Sequence, residues 1–298
     1  MKINLILGAA ISSAALLTSC GLDSTTDERT YSDTLSQLII PDDVTKDVTF
    51  NNKVTYSFKQ DLTANTMTLT TSNFSINGVG GSLTSGAMPT TYNMSTASYI
   101  FKDGKGTFGT SEATGINGYM TGNTTVGTSQ GSLGFVVSFH ANGATVKSFY
   151  PDVVFLGSTT THYVMGEAGD REATTKDAFY RVTFDEKMEK AVVIIYNIKF
   201  APEMPKALEA VILKNLDVTL GRDGYTITGT DIIPEVKEGT GTTPYENYPF
   251  RSFSLKTIND ELTKVACDFT VSVKMGPTSM DFTGEFKGDY ASATGDVE

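Results

Sequence analysis

From about Val44 onward, apolar and polar residues alternate with a period of two. The alternation is carried by "VTYSFKQ", "NTMTLTTSNFSI", "SLGFVVSFH", "FYRVTF", "AVVIIYNIKF", "NLDVTL", "GYTITGTDII" and "MDFTGEFKG". These runs are rich in Val, Ile, Thr, Tyr and Phe, and Gly, Asn, Asp or Pro stand between many of them, so each predicts a strand. Helical spacing is nearly absent. Only "PEMPKALEAV", Pro202 to Val211, is expected to hold a short helical turn, limited by its prolines. The chain is therefore expected to be all-β.

The strand pattern repeats. Tyr56 is followed 17 residues later by Asn73, and Tyr180 is followed 17 residues later by Asn197. Downstream, "DGKGTFGT" from Asp103 mirrors "DGYTITGT" from Asp223. Order and spacing predict two copies of one β-unit. The Asp-Gly pairs are expected at hairpin turns, because they tolerate the positive-φ geometry that matches strand twist. A charged stretch, "MGEAGDREATTKD" from Met165 to Asp177, is expected to separate the copies. The predicted organisation is an export signal at 1–19, a flexible tether at 20–43 with one helical turn from Ser32, a first β-domain at 44–168 and a second at 176–290.

The opening segment supplies the first chemistry. Lys2 precedes an apolar run, Ile3 to Leu17, that is too short for a comfortable membrane span. The run ends Leu17-Thr18-Ser19-Cys20, which resembles the lipobox of bacterial lipoproteins. The resemblance implies a diacylglycerol thioether on Cys20, cleavage before it and acylation of the new N-terminus. One acyl chain anchors marginally, whereas three together hold a protein on a bilayer. Gly21 follows where an Asp would imply retention at the inner membrane, so the outer membrane is the expected location. The other cysteine, Cys267, then has no partner and is expected to be a small core residue.

Charge excludes one class of partner. The chain has 23 basic and 34 acidic residues, a net charge of −11. Loss of Lys2 with the signal leaves 22 against 34, or −12. That field repels nucleic acid. No Trp is present, but 17 Phe and 13 Tyr are. Tyr245 and Tyr248 in "TTPYENYPF" are the best candidates for an exposed aromatic ligand surface.

Taken in order, the strand, the Asn-aromatic-polar-apolar step, Met-Pro, an apolar strand and Asp-Gly-Tyr are similar to the calycin-like lipoproteins of Gram-negative gut anaerobes. In the second copy the residues are "YNIKFAPEMP", "LEAVILKNLDVTL" and "DGYTITGT"; in the first they are "SNFSINGVGGSLTSGAMP" and "KDGKGTFGT". The resemblance implies two tandem antiparallel barrels or half-barrels, and it transfers no catalytic residue.

Motifs that imitate catalytic sites lack their contexts. Gly104 to Gly109 matches G-x-G-x-x-G, but no helical period follows to receive a pyrophosphate. Gly127 to Gly131 matches G-x-S-x-G within a Gly-rich loop leading to a strand, where a nucleophile elbow needs a helix. His140 and His162 lie apart, so no zinc or iron site is expected. Asp281 and Glu285 share one face of a strand and are expected to be solvated. No cofactor, metal or catalytic residue is assigned, and the chain is not expected to be an enzyme. The expected function is an outer-membrane lipoprotein that binds an apolar ligand, a glycan or an envelope protein. The alternative is an adhesin or fimbria-like structural subunit.

Overall fold

The computed structural model describes residues 26–32, 36–51, 53–93, 98–121, 134–150, 152–164, 169–201, 204, 206–238, 241–259, 262–275 and 278–290. The lipobox with Cys20 and the G-x-S-x-G match at 127–131 lie outside the described residues. Among the described residues the chain is all-β, as the alternation predicts.

The first unit holds β1 (Thr26–Tyr31), β2 (Ser36–Pro41), β3 (Thr49–Asn51), β4 (Tyr56–Asp61), β5 (Thr66–Thr71), a small pair β6 (Phe74–Ile76) and β7 (Val79–Gly81), β8 (Leu83–Ser85), β9 (Met88–Asn93), β10 (Ser98–Phe108), β11 (Ser111–Thr121), β12 (Phe135–Ala141) and β13 (Ala144–Phe149). Its sheet runs β1-β4-β5-β8-β10-β11-β12-β13-β2-β3, with β9 beside β10 and β5. The two ends of that order are one hairpin. The chain passes from β1 to β2 and from β3 to β4, and Tyr31 faces Tyr56 while Ile39 faces Thr49, a register change of one residue. The β2 segment also pairs with β13. The path 26–41 and its partner 49–61 thus close the sheet into a barrel.

The second unit holds β14 (Asp152–Val164), β15 (Asp170–Phe184), β16 (Lys190–Ile198), β17 (Leu208–Gly221), β18 (Gly224–Ile232), β19 (Glu235–Glu238), β20 (Gly241–Pro244), β21 (Phe250–Thr257), β22 (Lys264–Met275) and β23 (Thr278–Tyr290). Eight of these form a closed antiparallel ring, β14-β15-β16-β17-β18-β21-β22-β23, with β23 returning to β14 and β19-β20 as a side hairpin on β17. Closure removes exposed sheet edges.

The two barrels share a register. Glu28 faces Lys59 in the first, and Asp152 faces Thr183 in the second, each residue displaced by 124 positions. Tyr56 and Tyr180 are equivalent and fully buried. Asp61 and Asp185 close equivalent turns, their carboxylates accepting from the amides of Thr63 and Ala64 and of Glu189 and Lys190. Inward residues of the second barrel, such as Tyr180, Cys267, Phe269 and Phe286, fill its centre. Tyr180 stacks on Phe286 with centroids 3.8 Å apart. Cys267 is a buried core residue, and burial pushes its thiol pKa up.

Several expectations need correction. Within 20–43, the described residues 26–32 and 36–41 are not a flexible tether but form the first stave of the first barrel, and no helical turn lies among the described residues of that stretch. The apolar residues of "SQLIIP" do not alternate because β2 is buried on both faces: Ile39 points into the first core, whereas Leu38 and Ile40 join the second. The break expected at 165–177 falls inside the β14–β15 hairpin, where Val164 faces Asp170. The units meet near residue 150 instead, so 152–164 belongs with the second barrel. The charged residues Asp170, Arg171, Glu172, Lys176 and Asp177 of that stretch are exposed along β15. Strand β17 occupies Leu208 to Val211, where part of a helical turn was expected, because pairing with β16 outweighs the local preference. Finally, Asp223-Gly224 does sit at a hairpin, with Gly221 facing Gly224. Asp103-Gly104 lies within β10 instead, at a register shift opposite β11, with Asp103 at φ 54° and its N–H donating to Asn117 Oδ1 at 2.8 Å. It is a β-bulge, and Gly109 makes the true turn of that hairpin.

Candidate functional site

The outer wall of the first barrel covers one end of the second. Leu38, Ile40, Val136 and Phe149 leave the first core and pack with Phe155, Phe184, Tyr225 and Tyr290. The ring of Phe149 lies 5.7 Å from Phe184 and 5.4 Å from Tyr225. Arg222, in the β17–β18 turn, fastens the same junction. Its guanidinium donates to the carbonyls of Pro41 at 2.6 Å, Asp43 at 2.8 Å and Lys46 at 3.2 Å.

At the margin of this seam lies a cleft of about 530 Å³. Its wall on the first barrel comes from β10, β11 and β12 through Ile100, Lys102, Asn117, Tyr119, Val136 and Ser138. The second barrel adds Thr263, Asp289 and Tyr290. The two sides touch through Tyr119 and Tyr290, whose ring centroids are 4.5 Å apart at 62°. Alternation explains the placement: Phe135 and Val137 turn into the first core, so Val136 and Ser138 face out to the cleft. The floor is apolar and aromatic, and Lys102, Asp103 and Asp289 supply the charges of the lining. The Asp289 carboxylate lies 3.5 Å from Lys264 Nζ. Burial pushes the Tyr119 phenol pKa up, with the nearby Tyr290 and Tyr225 phenols adding to the shift, so it stays neutral. A ring-lined cleft with a few polar and charged groups suits binding, and its volume falls in the range of small-molecule pockets.

The tyrosines singled out by sequence do come together. Tyr245 and Tyr248 stack with centroids 4.8 Å apart at 19°, in a turn where the Tyr248 N–H donates to the Tyr245 carbonyl at 3.2 Å. Phe200 supports Tyr248 from below at 5.6 Å. Partial burial first, then Tyr245, raises the Tyr248 pKa. The pair is half-buried and lies outside the seam cleft.

Other candidates are dispersed. His140 Nε2 lies 2.9 Å from Asp42 Oδ2, and His162 Nδ1 lies 3.7 Å from Glu172 Oε2, both pairs exposed. Among the described residues no group of three or more His, Cys, Asp or Glu gathers as metal ligands. Asp281 and Glu285 both face solvent, and Asp281 accepts from Ser272 Oγ at 2.5 Å. Sequence reasoning missed the cleft. Its lining comes from four strands of two barrels and the loop residue Thr263, and the local signal was the largely apolar run "FVVSF", which marks a strand buried on both faces.

No family model and no curated protein sequence matches the chain. Among solved structures, a Bacteroides fragilis chain described as a candidate outer membrane protein is similar at 14% identity, with 88% of this chain and 96% of that one covered and a TM-score of 0.29. Transferrin-binding protein B of Neisseria meningitidis is similar at 9% identity, covering 89% and 78%, with a TM-score of 0.28. The same protein of Haemophilus parasuis is similar at 7% identity, covering 89% and 77%, with a TM-score of 0.27. At identities and scores this low, the likenesses identify neither a family nor a ligand for this chain.

Proposed function

We propose that this chain is a lipid-anchored outer-membrane binding protein, without catalytic activity, that holds a small, largely apolar ligand in the seam cleft. The observation that carries the reading is the cleft itself: about 530 Å³, floored by Tyr119, Val136 and Tyr290 and carrying its charges on Lys102, Asp103 and Asp289. Kinship with the calycin-like lipoproteins is part of the same reading. The anchor rests on Leu17-Thr18-Ser19-Cys20.

Native mass spectrometry of the chain from Gly21 onward, purified from its own cells, tests the ligand. A co-purified small molecule is expected, and Ser138→Trp, which fills the cleft from a half-buried position on its wall, is expected to remove it. A wild-type chain that carries nothing, or an adduct indifferent to Ser138→Trp, sinks the cleft assignment. For the anchor, Cys20→Ser is expected to release the protein from membranes.

A second reading has its own observation, the Tyr245–Tyr248 stack propped on Phe200. Stacked tyrosines offer a flat surface for a sugar ring. An oligosaccharide array read with wild type and Tyr245→Ala decides it: glycan signals that vanish in the variant support this surface, and a blank array removes it.

A further inference from the structure

Among the described residues the first strand begins at Thr26, only six positions after Cys20. A fully extended chain spans at most ~3.3–3.6 Å per residue, so the lipidated cysteine lies within roughly 20 Å of Thr26. The body is therefore held against the bilayer, and the question is which surface meets it.

Thr26 faces Asp61, so the start of β1 stands beside the β4–β5 turn. That turn carries Leu62, which is 46% exposed. The neighbouring strand is fixed to the turn, since the Thr90 N–H donates to the Asn65 carbonyl at 2.9 Å. Two residues further along β9, Tyr92 is 48% exposed and faces Tyr99 across the β9–β10 pair, with ring centroids 4.9 Å apart. Leu62 to Asn65 and Thr90 to Tyr92 contain no charged residue, in a chain with 57 of them (23 basic and 34 acidic). Asp61, at the border of the turn, accepts from the turn amides of Thr63 and Ala64, and Asp27, beside Gln60 on β1, is paired with Arg29. An uncharged rim with leucine and tyrosine side chains suits the headgroup region, where amphipathic rings settle and charges are costly to dehydrate. The opposite end of the same hairpin differs: Val44, 77% exposed, stands among Asp42, Asp43, Lys46 and Asp47. Strands of this length hold that end about 30 Å or more away.

We propose that the end of the first barrel bearing Leu62, Tyr92 and Tyr99 is the membrane-facing surface, seated on the lipid headgroups beside the anchor. This rests on the lipid attachment at Cys20 proposed above.

The absence of Trp makes a clean test available. Lipidated Leu62→Trp, Tyr92→Trp and Val44→Trp chains are reconstituted in phosphatidylethanolamine–phosphatidylglycerol vesicles with brominated acyl chains. Quenching at positions 62 and 92 several-fold greater than at 44 is the expected result. Equal quenching at all three positions, or stronger quenching at 44, overturns the orientation while leaving the anchor intact. A chain that floats away from vesicles as completely as its Cys20→Ser counterpart overturns the anchor, and the orientation with it. Hydrogen exchange of the unsubstituted lipidated chain gives an independent readout: protection gained at 61–66 and 90–92 on vesicles, but not at 42–47, is expected, and the reverse pattern overturns the proposal.

Discussion

The Tyr56 hydroxyl lies 2.6 Å from Ser148 Oγ across the interior of the first barrel, joining residues 92 positions apart. It also accepts a hydrogen bond from Gln37 Nε2 at 2.8 Å. One phenol thereby ties β4 to β13 and β2 where the barrel closes. Tyr56→Phe leaves a buried amide donor and a buried hydroxyl without this partner, and should cost about 1–3 kcal/mol. Urea unfolding is the check: a lower midpoint at unchanged slope is expected, and an unmoved midpoint refutes the role given to the bond.

Alkali should unfold the protein in a defined window. Burial is the main cause raising the pKa values of Tyr56, Tyr119, Tyr180 and Tyr225, with Tyr56 reaching about 12 against the ordinary 10.0 despite opposing hydrogen bonds from Ser148 and Gln37. Below pH 10 these phenols are neutral in both states, so their contribution to stability is complete. Above it the unfolded chain ionises while the folded chain does not, and stability falls as pH rises toward the folded values. Tyrosinate absorbance should rise together with loss of circular dichroism, after an earlier phase from exposed tyrosines. A single smooth titration near pH 10 with the fold intact would contradict the assignment.

Glycines in β23 make room for aromatic rings. A Cβ added to Gly284 would stand 2.1 Å from Phe269 Cζ, inside the second core. Gly284→Ala is expected to destabilise by about 1–3 kcal/mol through overpacking. Adding Phe269→Leu should recover part of that loss, because the two changes share one space. Additive effects in this cycle would show that the ring and the glycine are not coupled.

Arg222 reports on the junction between the barrels. Arg222→Ala removes donors to three carbonyls of the 41–46 turn and should cost roughly 1–2 kcal/mol, less than three buried bonds would, since the site is partly solvated. Hydrogen exchange should speed up at 42–47 while the β22–β23 core keeps its protection. Unchanged exchange at the turn would mean that the apolar contacts of Leu38, Ile40 and Phe149 hold the seam unaided.

Cys267 is sealed in the second core with its thiol pKa raised well above the ordinary value. In the chain from Gly21 onward it should resist a thiol-specific reagent under native conditions and react fully in denaturant. Rapid native labelling would show that this barrel opens.

Local chemistry determined a good deal of this protein. Period-two alternation gave the strands, because a side chain on a pleated sheet has only two faces to choose between. The Tyr56 and Tyr180 pattern marked true equivalents, since each copy needs the same buried phenol at the same register. The Asp223-Gly224 turn was readable from two residues, and the pairing of Tyr245 with Tyr248 from four. Asp103-Gly104 misled for an instructive reason: a bulge and a hairpin ask for the same positive-φ residues, and only the neighbouring strand distinguishes them.

Tertiary structure alone decided the closure of the first barrel, the placement of 152–164 and the seam. Each depends on partners more than a hundred residues away: β2 on β13, Arg222 on Pro41, Tyr290 on Tyr119. Leu38, Ile39 and Ile40 are equally apolar, and nothing in their order tells which of them serves the first core and which the second. Hydrophobicity records that a side chain avoids water; it does not record which surface covers it.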